Sequence, residues 1–270
     1  MKVNNFINIA LLPAAFVPAC VGLLLVLLLT QSSCNSNQAQ QLNIAFYNCE
    51  NLFDTLNDPR FEDDDFTPEG AYRYNGQVYR TRLHHMATVL AGIDPVMVGL
   101  AEVENATVLT DLCQQPELKD DSWEFLVLPG YYHRGLNVAL LYRASAFGPL
   151  SARSLVVPGM ERGATRDILY VTGLLYGDTV HVLVNHWPSR RGGDSASHIH
   201  RMAAAELCAA TVTELRAGSP YARILVMGDF NDNPADASMT TLAATTMAQA
   251  NRVGLYNPFA AIHASGTGTE

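Results

Sequence analysis

Arg223-Ile-Leu-Val-Met-Gly-Asp-Phe-Asn-Asp-Asn-Pro234 is a short apolar run that stops abruptly in polar residues. Ile224 to Met227 is apolar and partly β-branched, the composition of a strand buried on both faces. Gly228, Asp229 and Asn231 end the run, and Pro234 blocks any continuation. In an extended chain Asp229 and Asn231, two residues apart, leave on the same face. An acid and an amide at the mouth of a buried strand suit the holding of a water or a phosphate oxygen. An Asx-turn at the strand exit is the alternative reading of the same residues.

The pattern recurs upstream. Leu42–Glu50 alternates as a strand and ends at Asn48 and Glu50, which share a face while Cys49 turns inward. Val96–Ala101 is a second buried run, broken from the preceding segment by Asp94-Pro95 and ending at Glu102. Thr179–Val184 ends at Asn185-His186, and Gly177-Asp178 makes a hairpin turn between it and Ile168–Tyr176. Further strands are expected at Glu124–Leu128, Asn137–Tyr142 and Ser154–Val157. Helical spacing appears over Arg80–Ile93, after Glu102 to Leu112, over Ser197–Leu215, and over Ala235–Ala250. Asp54–Tyr79 has no clear period and reads as a long surface loop, with Glu62–Asp65 a solvated acidic run. From Gly254 the chain reads as irregular. Mixed strands and helices with antiparallel hairpins give an α/β or α+β sandwich.

The chain is 49% apolar and carries a formal charge of −9, or −10 once Lys2 is set aside with the leader. Such a chain can bury a core, and it has no broad basic surface for nucleic acid. An enzyme that handles phosphate in a local pocket is compatible with that charge. Residues 1–33 read as a leader. Lys2 precedes the apolar blocks Phe6–Val17 and Val21–Leu29, and small residues precede Cys34. Ser32-Ser33-Cys34 before a polar tract resembles a bacterial lipoprotein signal, with Gln31 departing from the usual aliphatic residue. The expectation is export and a membrane anchor through lipidated Cys34. An uncleaved span or ordinary secretion are the alternatives. Residues 34–41 form a polar tether and 42–270 one domain. Cys49, Cys113 and Cys208 match no zinc spacing and read as small buried thiols.

Four strand mouths therefore carry three carboxylates, three amides and an imidazole, if the fold brings them together. Oxygen-rich ligation without thiolates suits Mg2+, with Mn2+ or Ca2+ as alternatives, and is unlike a structural zinc site. Taken singly, each mouth has a plainer explanation. Glu102 could be a surface acid, His186 beside Trp187-Pro188 a satisfied histidine, and Arg190-Arg191 a solvated turn. The recurrence is what favours a site.

Phe46-Tyr-Asn-Cys-Glu-Asn-Leu-Phe-Asp54, Gly99-Leu-Ala-Glu-Val-Glu-Asn105, Val184-Asn-His-Trp-Pro-Ser-Arg-Arg-Gly-Gly193 and Met227-Gly-Asp-Phe-Asn-Asp232 resemble the successive motifs of the endonuclease/exonuclease/phosphatase family. The resemblance runs from about Leu42 to Asn257. It implies a four-layer α/β/β/α sandwich with two mixed, mainly antiparallel sheets, and divalent-metal-dependent phosphoester hydrolysis. Carried over by motif, Glu102 is the principal metal ligand, supported by Asn48 and Glu50. Asp229 orients or deprotonates the attacking water, Asn231 holds the scissile phosphate, and His186 contacts it. Asn185 and Arg190 follow as phosphate contacts by proximity. Asn137 stands where the family often has Asp, which leaves it a hydrogen-bonding role.

The family also closes with an Asp-His pair, and none follows Asn231 here; His263 has no acid before it. The expectations are a fragment or a degenerate homologue, little hydrolysis by this form, and an exposed sheet edge. The functional expectation is a monomeric, exported phosphoesterase acting on phosphodiesters, nucleic acid first, with Trp187 and Arg190-Arg191 gripping a backbone. The alternatives are an enzyme for lipid head groups or sugar phosphates, and a non-catalytic surface-binding lipoprotein.

Overall fold

Two four-stranded sheets form from the apolar runs, and helices cover their outer faces. The computed structural model describes residues 42–119, 121–190, 194–244 and 254–266. The leader, the tether with Cys34, Arg191 and residues 245–250 of the helix expected from Ala235 lie outside them. The first sheet takes β1 (Ile44–Leu52), β2 (Met97–Val103), β3 (Trp123–Val127) and β4 (Asn137–Arg143), ordered β1-β2-β4-β3. The second takes β5 (Phe147–Leu155), β6 (Ile168–Leu175), β7 (Asp178–His186) and β8 (Arg223–Asp229), in sequence order. Each sheet has one parallel pair, β1 with β2 and β7 with β8, and its other pairs are antiparallel.

Strands buried on both faces require cover on both sides, and three core clusters supply it. Met97, Val138, Leu140 and Tyr142 from one sheet meet Phe147, Leu169, Val182 and Met227 from the other between the sheets. Outside the first sheet, α1 (Gly76–Ile93) and α2 (Ala106–Cys113) pack Leu83, Leu90, Leu109 and Leu112 onto Val98, Leu100 and Leu141. Outside the second, α3 (Asp194–Gly218) and α4 (Ala237–Ala243) pack Ala204, Cys208, Met239 and Leu242 onto Ile168, Tyr170 and Leu183. The result is the expected four-layer α/β/β/α sandwich. At Gly99 a Cβ would lie 2.5 Å from Met227 Sδ, so a side chain there would displace the Met227 thioether between the sheets.

Several local expectations need correction. Helix α1 starts at Gly76, because the Asn75 side chain accepts from the N–H groups of Gln77 and Val78 and caps it. The segment before it is not a free surface loop. It contains a 3-10 turn (Asp64–Phe66), and Phe53, Tyr74 and Leu136 form a small core beneath it, with Phe66 stacked 4.3 Å from Phe53. Within the supposedly solvated acidic run, Asp63 is only 2% exposed and accepts from the Asp58 N–H. Strand β5 begins at Phe147, well before Ser154; it is a largely exposed edge strand, so its apolar signal is weak. The tail holds a short exposed helix, α5 (Phe259–Ala264), where irregular chain is expected, and His263 lies on it. Cys49, Cys113 and Cys208 are free thiols.

Candidate active site

The ends of β1, β2, β7 and β8 converge, and so do the starts of β4 and β6, which run antiparallel to β2 and β7. On the first sheet the ladder breaks at the mouth. Between Asn48 and Leu52 on β1, and between Ala101 and Val103 on β2, the register shifts. Glu50, Asn51 and Glu102 there have φ of 51°, 66° and 60°. Left-handed backbone costs a non-glycine residue about 1–2 kcal/mol and re-aims its side chain out of the pleat. Arg82 on α1 holds the bulge by donating to the carbonyls of Cys49 and Glu50, each at 2.6 Å.

The bulge turns Glu102 into the mouth. Its Oε2 accepts the Asn51 N–H at 2.7 Å, and Asn51 Oδ1 accepts from Arg134 at 2.6 Å. Its Oε1 faces His186 Nε2 and the Arg166 guanidinium at 3.9 Å each, beyond hydrogen-bond reach. His186 Nε2 is also 3.9 Å from Asp229 Oδ2. Asn48 Nδ2 donates to that same Asp229 oxygen at 3.0 Å, bridging the two sheets. Asn48, Glu102, His186 and Asp229 are thus brought together as expected. Glu50 is not: its side chain is exposed, and its backbone N–H donates to Asn48 Oδ1.

The second mouth is regular up to its last pair, His186 beside Asp229. Beyond it, Asn231 has φ of 52° and donates its N–H to Asp229 Oδ1, the Asx-turn alternative rather than an extended exit. Its side-chain amide donates to the Trp187 carbonyl at 2.9 Å, so it braces the loop after β7. Asn185 is a correction. It is 0% exposed, its Nδ2 donates to Leu183 O and Met227 O, and its Oδ1 accepts from Trp187 Nε1 and the Cys208 thiol. Fully engaged inside, it ties β7 to β8 and does not face a phosphate. Gly228 beside it is obligatory, since a Cβ would lie 2.5 Å from Asn185 O. Trp187 is buried against Phe230 and grips no backbone.

Arg190 is corrected in the same way. Its guanidinium donates to Asp232 at 3.0 Å, to Asp236 at 2.6 Å and to the Asn231 carbonyl. Buried Arg201 meets the same Asp232 oxygen, Oδ1, at 2.8 Å and donates to Ser197 Oγ at 2.8 Å. These pairs lock the loops after β7 and β8 together. Burial alone would raise the Asp232 carboxyl. The hydrogen bonds from Ser238 and Arg201 and the charges of Arg201 and Arg190 prevail and hold it below the usual range.

Two arginines at the mouth escaped the sequence reading. Arg134 precedes β4 and Arg166 precedes β6. The Arg166 guanidinium is buried, lies 4.0 Å over the Tyr132 ring, and keeps its Nε without a protein partner. Burial lowers its proton affinity, against the charges of Tyr132 and Glu102. Burial likewise drives His186 down to about 3; Arg166 and Arg134 add to that, while Asp229 opposes it. His186 is therefore neutral at physiological pH, and its Nδ1 is also buried without a partner. Glu104, two residues past Glu102, is pushed to about 7 mainly by burial, although the Asp54 N–H donates to it.

A sequence profile described as the Endonuclease/Exonuclease/phosphatase family matches residues 43–270. The chain belongs to this family, whose members are phosphoester hydrolases and typically use divalent metals. Among solved structures, the mannosyl-6-phosphatase Bt3783 of Bacteroides thetaiotaomicron VPI-5482 is 17% identical with a TM-score of 0.54, over 75% of this chain and 70% of that one. A family protein of unstated activity from Bacteroides thetaiotaomicron is 16% identical with a TM-score of 0.53, over 74% of this chain and 67% of that one. TDP2 from Caenorhabditis elegans is 20% identical with a TM-score of 0.47, over 59% of this chain and 44% of that one. The chain thus spans less than half the length of that TDP2 chain. At these identities the likeness shows the fold. Comparison with curated proteins finds no match.

Proposed function

We propose that this chain is a divalent-metal-dependent phosphoesterase that hydrolyses phosphodiesters, with nucleic acid as its first substrate class. The observation that carries the reading is the gap among Glu102, His186, Asp229 and Arg166. Their polar atoms face one another at 3.9 Å, too far to bond and about wide enough for a shared oxygen. Arg166 Nε and His186 Nδ1 are also buried without a protein partner. The leader and Cys34 read from the sequence of residues 1–41 support an exported enzyme anchored on a membrane.

The donor set fits a magnesium-type ion. Among the described residues no group of three acids, histidines or cysteines could hold a metal unaided. Magnesium is commonly held by one or two carboxylates with substrate oxygens and water completing its shell. Glu102 would hold it, while Asn48, whose amide donates to Asp229 and accepts the Glu50 N–H, would act through Asp229, and the exposed Glu50 is not placed to hold it. Bound there, the ion would polarise a phosphoryl oxygen and stabilise the leaving oxygen.

The chain's own groups do the rest. Asp229 is fixed by Asn48 at one oxygen and by the Asn231 N–H at the other, which leaves lone pairs to orient a water and take its proton. Neutral His186, with its Nε2 facing two carboxylates, donates from that nitrogen to a phosphate oxygen. Arg166 supplies a buried cation for the charge that develops on the phosphoryl group. Asp229→Ala should lower hydrolysis of a phosphodiester with magnesium by about 10²–10⁴-fold while leaving circular dichroism and the melting temperature close to the parent. Activity within a factor of two of the parent would sink the enzyme reading. Phosphate affinity indifferent to that change and to chelation would support a binding protein instead. A second reading, hydrolysis of a sugar phosphate, draws on the likeness to Bt3783, whose name gives a sugar phosphatase activity.

A further inference from the structure

Three loops interlock beside the mouth. The Glu62 N–H donates to the His133 carbonyl at 2.9 Å, and the His133 N–H donates to the Gly163 carbonyl at 3.2 Å. Gly163 has φ of 90°, and a Cβ there would lie 2.4 Å from the Tyr131 carbonyl, so the contact admits only glycine. This seam sets two arginine-on-tyrosine stacks in succession. The inner pair, Arg166 over Tyr132 at 4.0 Å, is the one at the reacting centre. The outer pair is Arg162 over Tyr131 at 3.7 Å, with Arg162 exposed and Tyr131 61% exposed.

A guanidinium that served only to neutralise an acid would turn its edge to a carboxylate. Arg162 instead lies over a ring and is exposed to solvent, four residues before the Arg166 that faces Glu102, although its charge also acts on Asp167. A guanidinium plane takes an electron-rich flat ring, as arginine and aromatic planes do for unstacked bases. A sugar ring offers no such face. In an acidic protein, a local cationic stack is also the part of the rim where an anionic strand can settle.

We infer that the Arg162–Tyr131 stack is a base-binding platform, which holds the nucleobase next to the scissile phosphate and selects nucleotide phosphodiesters. This rests on the proposed hydrolase reading and names its substrate class. The test compares a dinucleoside monophosphate with the same diester lacking bases, for the full chain and its Arg162→Ala, Arg162→Lys and Tyr131→Phe forms. Arg162→Ala should cut the kcat/KM preference for the base-bearing diester about tenfold, mainly through KM, the loss expected for one stacked base. Arg162→Lys, which keeps the charge and loses the plane, should lose nearly as much. Tyr131→Phe keeps the ring and should retain the preference.

If lysine restores the preference, the site reads a second phosphate and the platform is wrong. If the parent shows no preference for the base, the platform is wrong as well. Should the parent hydrolyse neither diester, the hydrolase reading fails. Calorimetric binding of the dinucleoside monophosphate to the parent and to Arg162→Ala, with chelator present, then decides the platform alone. Tenfold weaker binding by the variant upholds it, and equal or undetectable binding by both overturns it.

Discussion

At the mouth of the first sheet the backbone leaves its ladder: three residues in left-handed conformation aim Glu102, and Arg82 clamps the bulge from behind. At the mouth of the second sheet the ladder runs on to His186 beside Asp229, and rigidity comes from side chains buried beneath it. Asn185 and the Asp232 pairs with Arg190 and Arg201 form that foundation. One half thus stores backbone strain to aim Glu102 into the mouth. The other uses satisfied polar groups to keep a carboxylate still. Strain of the first kind is tolerated where the surroundings over-determine it, and such places cluster at functional sites. A buried ion pair of the second kind is costly to break on one side.

The contrast can be broken most sharply in the foundation. Arg201→Ala leaves the Asp232 carboxylate short of its buried partner and should cost about 3–5 kcal/mol in urea denaturation; a loss below 1 kcal/mol would show that Arg190 alone suffices. Across the two sheets, Asn48→Ala frees one oxygen of Asp229. It should lower kcat about tenfold, some 1.4 kcal/mol of transition-state stabilisation, with KM nearly constant. A change in KM alone would mean that Asn48 acts on binding.

On the strained side, Glu50→Gly relieves a left-handed residue whose side chain is exposed, and it should raise stability by about 1 kcal/mol. Hydrolysis and magnesium affinity should hold; a fall in affinity would return Glu50 to the metal site. The smallest effect is in the pH dependence. Asp232 has its carboxyl held below the ordinary value of 3.8, so its contribution to stability is complete above that pH and is lost as pH falls below it. Asp232→Asn should flatten that acid limb of the melting curve, and an unchanged slope would assign it to other acids.

Most of the scaffold was legible because its strands are continuous apolar runs with polar stops. Nine-residue β5 is only partly legible, because an edge strand facing solvent carries little apolar signal. The site was legible where polar residues end a strand. Asn185 and His186 show the limit: adjacent residues at the same stop point opposite ways, one inward to Cys208 and one into the mouth. Asn231 read as a phosphate ligand because two-residue spacing implies a shared face only while the chain stays extended. Arg134 and Arg166 were missed for a topological reason. They precede β4 and β6, and an antiparallel neighbour begins where the reference strand ends. Polar residues before an apolar run therefore belong in the same search as those after it.

The hydrogen bond from Asn48 to Asp229 joins residues 181 apart in sequence. Closing a contact of that span is slow, since the chain entropy is lost before the contact can reward it. In kinetic terms, a contact of that span is expected to close late. Under the proposed function, full activity would require that contact, so its appearance during refolding would time the meeting of the two sheets.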